Sequence, residues 1–242
     1  MTGATHVAFT TEPNLVEGSV EREFTLNRDG TPIPGVLWSP TDGPAGRLLL
    51  LGHGGTAHKR ADYIEGVARL ATQRGFDAVA IDGPGHGDRV QPDEQPNSDN
   101  FFEVWHNNGG TDGIVADWKI TLDFLEAQQG SRPTGWSGLS MGTMVGLPVC
   151  VTEPRVSAAV LGLMGHWGPN GDELVALAPS LTVPLRFLLQ WDDQIVPRER
   201  CLKLFDLLGS ERKTLHANPG AHAAVPVTEV LSSIDYLDRY VK

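Results

Sequence analysis

The 242-residue chain predicts an α/β fold, a mostly parallel doubly wound sheet with helices on both faces and an antiparallel N-terminal edge. Three observations carry this. From residue 47 onward, strand-like and helix-like segments alternate to the end of the chain. Several of the strand-like segments are continuous apolar runs, as in "RLLLLGHGG" and "FDAVAID", which suits strands covered on both faces. The glycine-rich, chemically loaded segments follow those runs, and in open α/β sheets ligands bind beyond the carboxyl ends of the strands.

The elements follow in order. "VEREFTLNRDGTPIPGVLWSP" alternates apolar and polar residues around Asp29-Gly30, which predicts a hairpin of two antiparallel strands. The run "RLLLLGHGG" is the first parallel strand. "ADYIEGVARLATQRG" places Ile64, Val67, Ala68, Leu70 and Ala71 on one helical face, with Gly75 as its stop. "FDAVAID" is a buried strand. Residues 83–112, rich in Pro, Asn and Asp, read as one long irregular stretch. "GIVADWKITLDFLEAQQ" is a helix with Ile114, Trp118, Leu122 and Leu125 on one face. A strand "RPTGWSG", a helix over 141–152 and a strand "RVSAAVLGLMG" come next. Residues 165–182 have room for one short helix, "GDELVALA". "PLRFLLQW" is a strand, "PRERCLKLFDLLG" a helix with Pro197 in its first turn, "RKTLHAN" the last strand and 225–241 the final helix. Residues 1–17 read as an N-terminal extension to a single domain over 18–242.

Composition excludes several functions. The net charge is −11, from 19 basic and 30 acidic residues, and no basic run stands out. That leaves no electrostatic footprint for nucleic acid or an anionic membrane. The N-terminus lacks the basic and apolar regions of a signal peptide, and no apolar run approaches the roughly 20 residues of a membrane span. A soluble cytoplasmic protein, monomer or homodimer, is the expectation. Cys150 and Cys201, both in helical segments, are expected as buried free thiols rather than a disulfide.

The stretch "GWSGLSMGT" contains Gly138-Leu139-Ser140-Met141-Gly142, the pattern G-x-S-x-G, between a strand and a helix. A serine hydroxyl needs a base, a group that orients the base, and donors for the oxyanion it creates. His222, in "NPGAHAAVP" after the last strand, is the candidate base; His216 falls inside that strand. The orienting acid should follow "PLRFLLQW", where Asp192 and Asp193 compete. Asp193 is preferred for its place in Asp193-Gln194-Ile195-Val196-Pro197. His53, His58 and His86 do not have metal-ligand spacing, so no metal is expected. "DGPGHGDR" lacks the G-x-G-x-x-G of a dinucleotide site, and no cofactor is expected.

These residues together resemble the α/β-hydrolases, with similarity to their smaller esterase and dienelactone-hydrolase-like branches. The resemblance covers roughly residues 20–241. It rests on the elbow around Ser140, on His53-Gly54-Gly55, on Asp82-Gly83-Pro84-Gly85-His86-Gly87, on Asp193-x-x-Val196-Pro197 and on the late His222, in the order Ser, Asp, His. It implies the α/β-hydrolase fold, with only a minimal cap because residues 164–182 are few. It implies a serine hydrolase cleaving small-molecule carboxylic esters through an acyl-enzyme. Thioesters, lactones and small amides share that chemistry, and a non-catalytic binding protein is the alternative of a different class. The oxyanion hole it implies is the Met141 backbone N–H with that of Gly55, or Thr56 as the near alternative; His53 would orient that loop.

The long stretch 83–112 holds Phe101, Phe102, Trp105 and His106, and its aromatic content predicts a lid folded over the site. Phe102, Trp105, Trp167 and Trp191 are the expected substrate-binding residues. Arg60 and Arg89 are the two cations placed to hold a substrate carboxylate.

Overall fold

A computed structural model of the chain describes residues 9–90 and 101–242. Its sheet has nine strands in the order β1-β2-β3-β5-β4-β6-β7-β8-β9. These are β1 (Asn14–Val16), β2 (Ser19–Arg28), β3 (Thr31–Pro40), β4 (Leu48–Gly52), β5 (Asp77–Ile81), β6 (Thr134–Gly138), β7 (Val156–Gly162), β8 (Leu185–Gln190) and β9 (Lys213–Asn218). β1, β2 and β3 are antiparallel, β3 meets β5 antiparallel, and every pairing from β5 through β9 is parallel. The hairpin turn is Asp29-Gly30, both with positive φ (51° and 92°), the twist that a two-residue connection between right-twisted strands demands.

The apolar runs work as two interleaved sets. In β4, Leu48 and Leu50 join one hydrophobic cluster, while Leu49 and Leu51 join the other. Val79 and Ile81 of β5 divide in the same way from Ala78 and Ala80. Successive side chains of a strand point to opposite faces, so a run without polar breaks requires a cover on both. One face is covered by α3 (Gly110–Gln129), α4 (Met141–Thr152) and α6 (Arg198–Leu207), the other by α1 (Asp62–Thr72) and α7 (Val227–Tyr240). Trp136 of β6 lies under α4, edge-on to Trp118 of α3 with ring centroids 4.9 Å apart. The short helix in 165–182 is α5 (Gly171–Leu177), followed by a single 3-10 turn at Ala178–Ser180.

The structure corrects two of the expectations. The expected N-terminal extension is partly sheet: β1 pairs with β2, and Phe9 bridges Phe24; residues 1–8 lie outside the described residues. A three-residue strand is too short to show its period, so sequence pattern missed it. The stretch 83–112 has secondary structure of its own: a 3-10 turn at Gly87–Arg89, α2 (Phe101–Asn107) and the first turn of α3. Phe101, Val104 and Trp105 sit at i, i+3 and i+4, and this stripe holds α2 despite polar neighbours. Residues 91–100 of the expected lid lie outside the described residues.

Candidate active site

Ser140 stands between β6 and α4, with φ 58° and ψ −120°. Such a backbone costs a non-glycine residue about 1–3 kcal/mol and persists only where its surroundings hold it. Here they do. The Ser140 N–H donates to the Gly162 carbonyl at 2.9 Å, and its own carbonyl accepts from the N–H groups of Thr143 and Met144. The Thr143 hydroxyl accepts from the Gly162 N–H at 2.7 Å and faces the Gly138 and Gly162 carbonyls. The flanking glycines are there for close approach: a Cβ on Gly142 would overlap the Gly52 carbonyl oxygen, and one on Gly138 would press on the Gly142 carbonyl. The elbow is thus fixed between β4 and the end of β7.

His222 comes from the loop after β9. Its Nε2 lies 2.9 Å from Ser140 Oγ, and its Nδ1 lies 2.7 Å from Asp193 Oδ2. The Asp193 side chain is 1 % exposed. Its other oxygen, Oδ1, accepts from the N–H groups of Ile195 and Val196, each at 2.8 Å. Burying a carboxylate is costly unless its oxygens are satisfied, and here every partner is present. Asp192, the competing acid, points elsewhere: its Oδ2 accepts from the Gly220 N–H at 3.1 Å. Serine, imidazole and carboxylate therefore form one hydrogen-bonded line from the ends of β6, β9 and β8.

The loops after β4 and β5 are cross-linked to each other. Gly83 N–H donates to His53 Nε2 at 2.9 Å, so the ring's proton sits on Nδ1, which donates to the Gly54 carbonyl at 2.9 Å. Burial, and then the neighbouring His86, push the His53 imidazole down to about 4, which keeps it neutral. His86 Nε2 lies 2.9 Å from the Gly55 carbonyl, and its Nδ1 lies 2.8 Å from that of Pro84. Lys59 bridges Asp82 and Asp88 with its ammonium. The Gly54 N–H donates to the Tyr63 hydroxyl at 2.6 Å, whereas those of Gly55 and Thr56 donate to no group among the described residues. The N–H of Met141 opens α4, where the first N–H groups of a helix have no acceptor within it.

A family model described as the alpha/beta hydrolase family matches residues 48–239. The chain belongs to the α/β-hydrolase family. It is similar to a cold-adapted esterase from an Arctic intertidal metagenomic library. In that protein's PEG-bound complex the identity is 51 %, the alignment covers 97 % of this chain and 100 % of the other, and the TM-score is 0.91. The native structure of that esterase gives 48 % identity over the same shares, with a TM-score of 0.86. An acetyl xylan esterase from Paenibacillus sp. R4 shares the fold at 16 % identity, covering 98 % of this chain and 90 % of its own, with a TM-score of 0.73. No curated protein matches the chain.

The structure distributes the hydrolase's four expected pocket residues unequally. Trp105 is 1 % exposed and packs with Phe101 against the main core. Phe102, one position along α2, is exposed. Trp191 and Trp167 are half-exposed, under the guanidinium groups of Arg198 and Arg200, 4.4 and 4.9 Å from the ring centroids. The two candidate carboxylate binders are already committed. Arg60 is paired with Glu21, Glu23 and Glu65, and Arg89 with Asp117 and the Asp82 carbonyl. Among the described residues, no three His, Cys, Asp or Glu group as metal ligands. Sequence reasoning missed the polar residues that hold the site's loops, Gln190, Gln194 and Lys59 among them. One signal existed for Gln190, an amide closing the apolar strand "PLRFLLQ".

Proposed function

We propose that the protein is a serine esterase that hydrolyses small-molecule carboxylic esters through an acyl-enzyme on Ser140. The observation that carries this reading is the unbroken line from Ser140 Oγ through His222 to Asp193. His222 Nε2 takes the hydroxyl proton as Ser140 Oγ bonds to the ester carbonyl carbon. The carbonyl π electrons move to oxygen, and the oxyanion is received by the N–H groups of Met141 and Gly55. Thr56 N–H is the alternative second donor. The C–O bond to the alcohol then breaks, and the alcohol leaves with the proton from His222. Water repeats the cycle on the acyl-enzyme and frees the acid. Asp193 stabilises the imidazolium formed in both halves and fixes the tautomer with the proton on Nδ1. The similarity to the cold-adapted esterase, at 48–51 % identity in its two structures, supports the choice of ester over amide.

No step of the reaction calls for a metal or cofactor. The reading also keeps the sequence-based expectation of a cytoplasmic monomer or homodimer, with Phe102, Trp105, Trp167 and Trp191 as the candidates for substrate contact. The test is a fluorophosphonate probe with peptide mapping, alongside turnover of p-nitrophenyl acetate and butyrate. The expected result is one label on Ser140, with labelling and turnover both lost in Ser140→Ala. A label that survives that substitution overturns the reading. So does a wild-type protein that turns over neither ester.

A further inference from the structure

The His222 loop, between β9 and α7, has no regular structure, yet it must hold a ring nitrogen 2.9 Å from Ser140. What holds it is the segment just after β8. Gln190 closes β8 and is 0 % exposed. Its Nε2 donates to the carbonyls of Ala221, at 3.2 Å, and Ala224, at 2.9 Å, on either side of His222. Both protons of one buried amide are thereby placed on the backbone of the histidine loop. Two exposed neighbours add to this. Gln194 Oε1 accepts from the backbone N–H of His222 at 3.0 Å, and Asp192 pairs with Gly220 through both its carboxylate and its N–H. Of the His222 loop, the Asp193 carboxylate meets the ring, while its neighbours meet the main chain that carries the ring.

We infer that Gln190 is a positioning residue for the histidine base, its carboxamide setting the reach of the His222 imidazole to Ser140, with Gln194 and Asp192 as secondary supports. The inference rests on the esterase reading for its kinetic test. Gln190→Met keeps the length of the side chain and removes both donors. Displacement of a catalytic group by about 1 Å costs up to about 100-fold, so kcat for p-nitrophenyl acetate should fall by about 10- to 100-fold with KM within about 2-fold. A residue acting through His222 has nothing left to act on once the imidazole is gone. In a His222→Ala background, Gln190→Met should therefore change the residual rate by less than about 2-fold. The far-downfield proton resonance of the Nδ1–H shared by His222 and Asp193 gives a readout independent of any ester. It should be sharp in the wild type and broadened or lost in Gln190→Met. Gln194→Ala, at an exposed position that folding tolerates, should show the same changes more weakly. The inference is overturned if folded Gln190→Met keeps both wild-type kcat and the wild-type resonance. It is also overturned if the fold-loss is the same with and without His222. If wild-type protein shows the resonance but no turnover, the esterase reading has failed and the positioning of His222 is still decided by the spectrum.

Discussion

Replacing Asp193 with Asn separates the two adjacent aspartates and tests the proposed proton path. In the native site one carboxylate oxygen accepts from two backbone N–H groups and the other faces His222 Nδ1. An asparagine has one oxygen and one NH2 group to fill those places. Turning the NH2 toward Ile195 and Val196 would set a donor against two backbone donors and lose both hydrogen bonds, the part-buried one to Val196 being the more costly. The oxygen therefore stays with the backbone and the NH2 faces the imidazole. Nδ1 must then become the acceptor, which moves the ring's proton to Nε2, where it points at Ser140 Oγ and cannot accept the hydroxyl proton. In a serine-protease triad the same substitution lowers kcat about 10⁴-fold, roughly 5 kcal/mol of transition-state stabilisation. A loss of about 10³- to 10⁴-fold in kcat for p-nitrophenyl acetate is expected here, with near-native melting temperature because the shape is kept. Asp192→Asn retains an oxygen for the Gly220 N–H and should lose at least a hundredfold less. If Asp193→Asn keeps more than about one tenth of the wild-type kcat, or Asp192→Asn is the variant that collapses, the assigned acid is wrong.

Other expectations concern the frame around the site. Gly142→Ala puts a methyl group against the Gly52 carbonyl, a clash of backbone with backbone that no rotamer relieves; a cost of about 1–3 kcal/mol should lower the melting temperature by roughly 3–10 °C and reduce kcat. A wild-type melting temperature in that variant would show that the elbow is not tightly packed. His53 is held down to about 4 by burial, against 6.5 when unfolded, so the unfolded chain takes up a proton first as pH falls. Its contribution to stability is complete above 6.5 and is lost as pH falls to about 4, at up to about 1.4 kcal/mol per pH unit. Urea midpoints measured across that window should fall less steeply in His53→Gln, and identical slopes would count against a buried neutral His53. Burial raises both thiols, and burial followed by the Asp193 and Glu199 carboxylates carries Cys201 up to about 12. Iodoacetamide at pH 8 should therefore leave Cys150 and Cys201 unmodified in the native protein and label both in urea, whereas fast native labelling of either would refute their burial.

The parallel strands and their helices were legible because burial on two faces leaves runs such as "LLLL" and "DAVAI", and because Gly and Pro punctuate them. The residues proposed as a triad were singled out by their order at strand ends, and the structure places Ser140, His222 and Asp193 within hydrogen-bond distance. What escaped is set by contacts far apart in sequence. β1 is held by pairing with β2, and three residues carry no period of their own. The burial of Trp105 depends on how α2 seats against the core, and an aromatic in a polar stretch reads equally as lid or as core. The choice between Asp192 and Asp193 was open in sequence; two backbone N–H groups and one imidazole distinguish them in space. Arg60 and Arg89 resembled free cations because most of their acidic partners, Glu21, Glu23 and Asp117, lie 28 to 39 residues away.

The geometry of the site follows from consecutive strand ends in one sheet. Ser140 follows β6, Asp193 follows β8 and the His222 loop follows β9, with β7 between the first two. β7 is not idle in this arrangement. Its last residue, Gly162, takes the Ser140 N–H and both bonds and faces the Thr143 hydroxyl, so Ser140 is tied to the strand that separates it from Asp193. Parallel pairing fixes those four ends relative to one another through backbone hydrogen bonds alone. The His222 loop projects beyond that control, and there the buried Gln190 amide and the exposed Asp192 and Gln194 side chains take over. Precision in the reacting groups therefore has two sources of different robustness. Substitutions beneath Ser140 act on packing and should cost stability together with rate, whereas substitutions in the β8 segment act on one loop and should cost rate first.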